Sequence, residues 1–426
     1  MEALPVELTM DILSRLPVKT IIHCKLVCNK WRNLISDSSF VDLHLSGSRA
    51  TSLIIHQNVN YKCEASIDPG MLKWVEIEDK VDHHGLHYDS LVNLDLSLSM
   101  VPIFQSSRIS LKGSVNGLIC LRQYSRRHNN TCIYNPVTRE VLTLPTSPQY
   151  PKHISFTIIA YGFGVSSLTG EYKVVRALNR IIRLNGDKSK MVSEAEVYTF
   201  GTGQWRNLGR LPYCIYESDV GAVLNDHCHW ILSLAENHAP EKIITFDLST
   251  EMFQLFPSPP IEEEEGNCIQ HLAVLKGCLC NSVAGDLNFT IWVMKEYGIK
   301  NSWHKEVVIL EAISKWPEWL SIDYIYLIEG LKDVTILSVD GMSGSLFAFH
   351  PRNNAIEKIE TFDWLEGWLA YRPSFLKLQN FVSERAMVLE KNLPISWMKG
   401  TKSFAHGKGT SVQKAWGSSL LLLHQP

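Results

Sequence analysis

Apolar residues fall at helical spacing over the first forty positions and at strand spacing over most of the remaining chain. Leu8, Ile12 and Leu16 recur every fourth residue, with Leu13 widening the stripe, and this predicts an amphipathic helix that Pro17 stops. Pro5 suits a first helical turn, and Glu7 places a carboxylate near the positive end of the helix dipole. Val18–His23 predicts a second short helical segment. Val27, Trp31, Leu34 and Ile35 share one face of a third, expected over Cys24–Ile35 and ended by the turn residues Ser36, Asp37, Ser38 and Ser39. After Ser46 the helical stripe gives way to short β-type runs punctuated by Gly, Pro, Asn and Asp.

Within the β-type stretch several units echo one another. Ile133-Tyr134-Asn135-Pro136-Val137-Thr138 leads to Leu144-Pro145, and Ala195-Glu196-Val197-Tyr198 leads through Gly201 and Gly203 to Trp205. Ile244-Thr245-Phe246-Asp247-Leu248-Ser249-Thr250 leads to Phe256-Pro257, Thr290-Ile291-Trp292-Val293-Met294 to Trp303, and Leu346-Phe347-Ala348-Phe349-His350-Pro351 to Ile356 and Ile359. More apolar strands marked by Gly precede some of them, as in Gly113–Leu121, Gly221–Leu232 and Leu272–Leu279, and suit inner positions of a sheet. The units start roughly 45 to 65 residues apart, the period of propeller blades. Thr51–His56 is placed to supply a strand that closes a ring with the last unit, near Leu331–Phe375.

Composition narrows the function classes. The 426 residues carry 41 Lys and Arg against 44 Asp and Glu, a net charge of -3, which leaves no basic footprint for nucleic acid. Hydrophobic residues make up 45%, enough for a real core. Ten Cys without a Cys-x-x-Cys pair read as free, mostly buried thiols. Neither a basic start followed by an apolar core nor a run of ~18 apolar residues is visible. The expected setting is therefore a reducing compartment, cytoplasm or nucleus, without a membrane partner. Candidate chemistry is sparse. Asp82, His83, His84 and His87, and the trio His227-Cys228-His229, lack the paired spacing of a zinc site, and a turn before Trp230 accounts for the trio more simply. Gly162-Phe163-Gly164 lacks the third glycine of a dinucleotide loop, Cys278 and Cys280 would share one strand face, and Glu262–Glu265 reads as a solvated loop. No catalytic, metal or cofactor residue is assigned.

The pattern Leu4-Pro5-x-x-Leu8, Ile12-Leu13-x-x-Leu16-Pro17-Val18-Lys19, Val27-Cys28-x-x-Trp31-x-x-Leu34-Ile35 and Phe40 closely resembles the F-box, in order and without gaps. Ile22-His23-Cys24-Lys25 departs from it mildly. The resemblance implies binding to the Skp-type adaptor of a cullin-based SCF ubiquitin ligase through Leu4, Pro5, Leu8, Ile12, Leu13, Leu16, Pro17, Val27 and Trp31, some of which would serve the motif's own core. Further along, Asn116-Gly117-Leu118-Ile119-Cys120, Tyr161-Gly162-Phe163-Gly164 with Tyr172-Lys173-Val174-Val175, and Trp292-Val293-Met294-Lys295-Glu296-Tyr297-Gly298 resemble the plant F-box-associated domain of kelch-like proteins, over about residues 50–378. That resemblance implies a small all-α F-box domain (1–46), then an all-β, kelch-like β-propeller that recognises a target protein (47–380); the basic C-terminal tail (381–426), with no acidic residue after Glu390, does not fit the family's usual ending. The implied role is a non-catalytic receptor that recruits a protein of unknown identity for ubiquitination. Two other readings stay open on sequence: a kelch-like oxidase or hydrolase capped by the helices, and a carbohydrate-binding β-sandwich behind the F-box.

Overall fold

The computed structural model describes residues 4–47, 52–57, 69–82, 85–97, 104, 107–124, 129–146, 156–183, 189–215, 220–233, 241–261, 269–284, 289–309, 325–330, 335–339, 343–350, 355–363, 365–381 and 387–388. Its helices are α1 (Val6–Ser14), α2 (Val18–Val27), α3 (Asn29–Ile35) and α4 (Ser38–Gly47). Pro5 and Pro17 stand at the N-caps of α1 and α2, where a missing N–H costs nothing. The second and third helices divide differently from the expectation. Cys28 adopts an extended backbone (φ -160°) that breaks the run, and its sulfur accepts the Trp31 amide at 3.5 Å as the cap of α3. The Ser-rich stretch expected only to end a helix also starts α4, because Asp37 Oδ1 accepts the Ser39 amide at 3.0 Å.

The rest is antiparallel sheet. Six sheets are present among the described residues, five of four strands and one of five, which excludes the two-sheet sandwich. In order from the innermost strand they are β24 (Leu365–Tyr371), β1 (Ser52–Gln57), β2 (Met71–Asp82) and β3 (Gly85–Ser97), followed by β4 (Arg108–Val115), β5 (Leu118–Tyr124), β6 (Asn129–Asn135) and β7 (Glu140–Thr143), with the short β25 (Met387–Val388) outside β7. Next come β8 (Phe156–Val165) to β11 (Trp205–Arg210), β12 (Ala222–Leu224) to β15 (Phe253–Phe256), β16 (Ile269–Leu275) to β19 (Trp303–Ile309), and β20 (Ile325–Gly330) to β23 (Ala355–Asp363). Each innermost strand lies against that of the next sheet, β4 on β8, β8 on β12, β12 on β16, β16 on β20, β20 on β24 and β24 on β4, so the sheets form a closed six-bladed propeller. Blade 1 pairs strands from both ends of the domain, Ile54 opposite Leu369 and Ser52 opposite Tyr371, which is the closure expected from Thr51–His56.

Local chemistry explains the repeated sequence units. The first two strands of blades 2, 4 and 5 are joined by two-residue turns with positive φ at both positions: Asn116-Gly117, Asn225-Asp226 and Lys276-Gly277. Outer hairpins of blades 2 and 4 turn on an acceptor side chain. Asn135 Oδ1 accepts the Val137 amide at 2.9 Å, Asp247 Oδ1 accepts the Ser249 amide at 2.7 Å, and each loop ends in a left-handed residue, Arg139 or Glu251. The recurrent Pro and Trp form latches between blades, since the Trp205 indole donates to the Pro145 carbonyl at 2.7 Å and the Trp303 indole to that of Pro257 at 3.1 Å. Gly117 (φ +80°) has no room for a side chain, because a Cβ would run into Ser374 Oγ and lie 2.5 Å from the Ser374 nitrogen. Gly117→Ala should therefore cost about 2 kcal/mol or more, read as a lowered midpoint in urea unfolding.

His227–Ile231 is strand β13, and its preceding turn is Asn225-Asp226, not the His-Cys-His trio. The two histidines share a face, rings 6.2 Å apart, with Cys228 buried on the other. His229 Nδ1 donates to the Ala222 carbonyl at 3.0 Å, which leaves Nε2 to accept from the Tyr297 hydroxyl at 2.9 Å and ties blade 4 to the loop after β18 (Phe289–Met294). Burial holds His229 neutral, its pKa lowered to about 4, and does the same to His271. A folded-state value below the ordinary 6.5 gives stability that is complete above about pH 6.5 and lost as the pH falls toward 4. Thermal unfolding should therefore show a falling midpoint across that window, with His229 contributing on the order of 3 kcal/mol and His229→Gln flattening the dependence.

Candidate adaptor-binding face

The four helices have one face in the protein and one in solvent. Leu13, Val18, Ile21, Ile35, Phe40 and Val41 are buried in the same cluster as Ile54, Leu72, Trp74, Tyr371 and Phe375 of the propeller, so helices and ring share a continuous core. A helix of nine residues with one apolar stripe would normally spend that stripe on the core. In α1 only Leu13 and Ser14 are buried, whereas Leu8 and Ile12 are 53% and 51% exposed. Leu4, just ahead of the helix, is 58% exposed. Leu4, Leu8 and Ile12 thus set large aliphatic side chains on successive turns in solvent, an exposed apolar strip.

The residues expected to bind are placed differently from one another. Leu4, Ile12, Leu13 and Trp31 line one cleft of about 740 Å³ between α1 and α3, walled also by Val6, Met10 and Leu34. Leu8 and Pro5 are exposed, and Leu16 and Trp31 pack partly against the buried core. Pro17 is exposed as the cap of α2, and Val27 is 65% exposed at its far end beside Leu26, away from the lining of the cleft. Leu13 thus serves the motif's own core and shows the cleft only its edge. Sequence reasoning missed Val6 and Leu34 as lining residues. Leu34 lies three residues after Trp31 on the same helical face, which was the available signal.

Charge is sparse around the cleft, with Lys30 and Asp37 at its margin. Titratable groups with shifted pKa values also stand where the helices meet the propeller. Lys25 of α2 lies 4.6 Å above the Phe375 ring, and burial, reinforced by Lys377 and opposed by Glu140, lowers its pKa to about 8. Burial raises Glu140 despite its bonds to Leu378 and Thr138, and lowers His44, whose ring stands edge-on to Phe375 at 5.6 Å.

Elsewhere, Cys280 is buried and Cys278 half-buried on β17 (Cys278–Ala284), both free. No group of three or more potential metal ligands occurs among the described residues. The side chains of Asp82, His83, His84 and His87, the run Glu262–Glu265 and the tail beyond 388 lie outside the described residues. No described helix is long and apolar enough to cross a membrane.

Comparison with known proteins finds relatives for both the helices and the sheets. Residues 1–41 match the F-box-like family and residues 79–378 the F-box associated beta propeller domain. F-box protein At3g07870 of Arabidopsis thaliana is 30% identical over 333 residues, 72% of this chain and 73% of its own. F-box/kelch-repeat protein At3g23880 of the same plant is 26% identical over 76% of this chain and 85% of its own, and F-box protein CPR1 25% identical over 72% of each. Among solved structures, the NanB sialidase of Streptococcus pneumoniae aligns at a TM-score of 0.36 and 9% identity over 61% of each chain, a level that carries no activity across. An F-box joined to a target-binding propeller is the general plan of an SCF substrate receptor. The chain belongs to the F-box proteins that carry an F-box associated beta propeller domain.

Proposed function

We propose that this protein is the substrate-recognition subunit of an SCF-type ubiquitin ligase, with residues 1–46 binding the Skp-type adaptor and residues 47–380 recruiting a target protein for ubiquitination and degradation. The observation that carries the reading is the solvent-facing apolar set Leu4, Leu8 and Ile12, displayed while the other face of the same helices is sealed in the propeller core. An adaptor helix laid across that face and into the cleft would bury these residues together with Pro5, Trp31 and the edge of Leu13. Pro17 at the start of α2 and Val27 at its end extend the contact, with the part of Leu16 that the core leaves uncovered. Through the adaptor the protein joins a cullin, and the covalent chemistry belongs to the ubiquitin-carrying enzyme. This chain supplies proximity and no catalytic residue, cofactor or metal. Rigid blades support the loops that choose the target. A role in the cytoplasm or nucleus fits the free thiols among the described cysteines.

Reconstitution tests the reading. A protein captured by the full chain with its adaptor face disabled should gain ubiquitin in a purified SCF reaction only when the intact chain is present. Equal modification without the chain would overturn it.

A further inference from the structure

The segment after β24, residues 372–381, touches two of the helices and two of the blades. Phe375 is buried, with Phe40 of α4 at 6.4 Å between ring centroids, His44 at 5.6 Å and the Lys25 ammonium of α2 at 4.6 Å. Its neighbours are bonded in the other direction, to the turns of blade 2. Ser374 Oγ donates to the Asn116 carbonyl at 2.5 Å, and Asn135 Nδ2 donates to the carbonyls of Ser374 at 3.2 Å and Leu376 at 2.6 Å. The Leu378 amide donates to Glu140 Oε2 at 2.5 Å, and Phe381 packs on Tyr172 and Phe200 of blade 3 at 5.0 and 6.1 Å. The same segment continues directly from the strand that pairs with β1 to close the ring.

We propose that residues 372–381 form a strap that makes ring closure and docking of the helical module one event, with Phe375 as the residue on which α2, α4 and the ring converge. Two observations favour this over ordinary core packing. The Ser374 hydroxyl and the Ser374 and Leu376 carbonyls bond to two turns of blade 2, and Gly117 in one of them has no room for a Cβ because Ser374 occupies that space. The helices meet the strap through three side chains, two aromatic and one cationic, arranged around a single ring. The consequence, that the adaptor face points in a fixed direction from the target-binding loops, rests on the function proposed above. The strap itself does not.

Hydrogen exchange of the full chain, with no adaptor present, tests it. In Phe375→Ala, amides of α2 and α4 and of residues 372–381 should exchange at least tenfold faster, while β14 (Ile243–Asp247) and β18 keep their wild-type rates. Unchanged rates in α4, or equal acceleration around the whole ring, would overturn the proposal. Should Phe375→Ala fail to fold, Lys25→Ala and Asn135→Ala approach the strap from its two sides. Each should speed exchange in both α4 and 372–381, and an effect confined to the mutated element would contradict the strap. Loss of adaptor binding plays no part in this readout, so the two proposals fail separately.

Discussion

Replacing Arg176 with methionine should lower the free energy of unfolding by about 3–5 kcal/mol, the largest single effect expected in the propeller. Arg176 and Glu196 form a buried ion pair in blade 3, and both side chains are almost wholly withdrawn from water. The guanidinium is further held by stacking 3.9 Å above the Trp205 ring and by a bond to Thr131 Oγ1 of blade 2 at 3.4 Å. Removing the cation strands the Glu196 carboxylate in an apolar interface, and that desolvated charge dominates the loss. The paired variant Arg176→Met with Glu196→Leu should recover most of the stability, because two apolar groups leave no buried charge. Denaturation followed by tryptophan fluorescence distinguishes the two. A single variant costing less than about 1 kcal/mol would mean that the pair contributes no more than a surface bridge.

Trp31→Ala should weaken adaptor binding by about 2 kcal/mol or more, roughly thirtyfold in Kd. Trp31 is the largest side chain lining the cleft and is held in place by its packing on the helical core, so little conformational entropy is lost when a partner covers it. Because it also packs inward, circular dichroism must show the helices intact in the variant. Leu168→Ala is the control, since Leu168 is 82% exposed on a turn of blade 3 and should leave adaptor affinity unchanged.

Much of this was legible in the sequence, and the limits have physical causes. The propeller was visible because its repeats encode local chemistry: Asn135 and Asp247 fix the same loop, and Trp205 and Trp303 reach a proline carbonyl of the neighbouring blade. The closing strand was legible as a β-type run at the start of the domain, placed to pair with the last unit. Helix boundaries were less accessible. Breaking α2 from α3 depends on one extended residue, Cys28, whose sulfur then caps the next helix, and α4 hides behind serines that favour both stops and starts. The candidate site was legible as a residue set but not as a surface. Periodicity puts Leu8, Ile12 and Leu16 on one stripe, yet Leu16 packs inward while Leu8 and Ile12 face solvent. The core against which Leu16 packs includes Phe375, more than 330 residues away, and no local pattern records that contact between distant segments.

The central claim is that the exposed apolar face of α1 captures a Skp-type adaptor. Calorimetric titration of the purified full chain with the purified adaptor tests it most directly, using Leu8→Asp with Ile12→Asp as the partner variant. Both positions are solvent-facing, so the variant keeps its fold while placing two charges in the proposed contact. The account predicts one adaptor bound per chain and at least a hundredfold weaker binding by the variant. Equal affinity of the two proteins, or no binding by the intact chain, would contradict it.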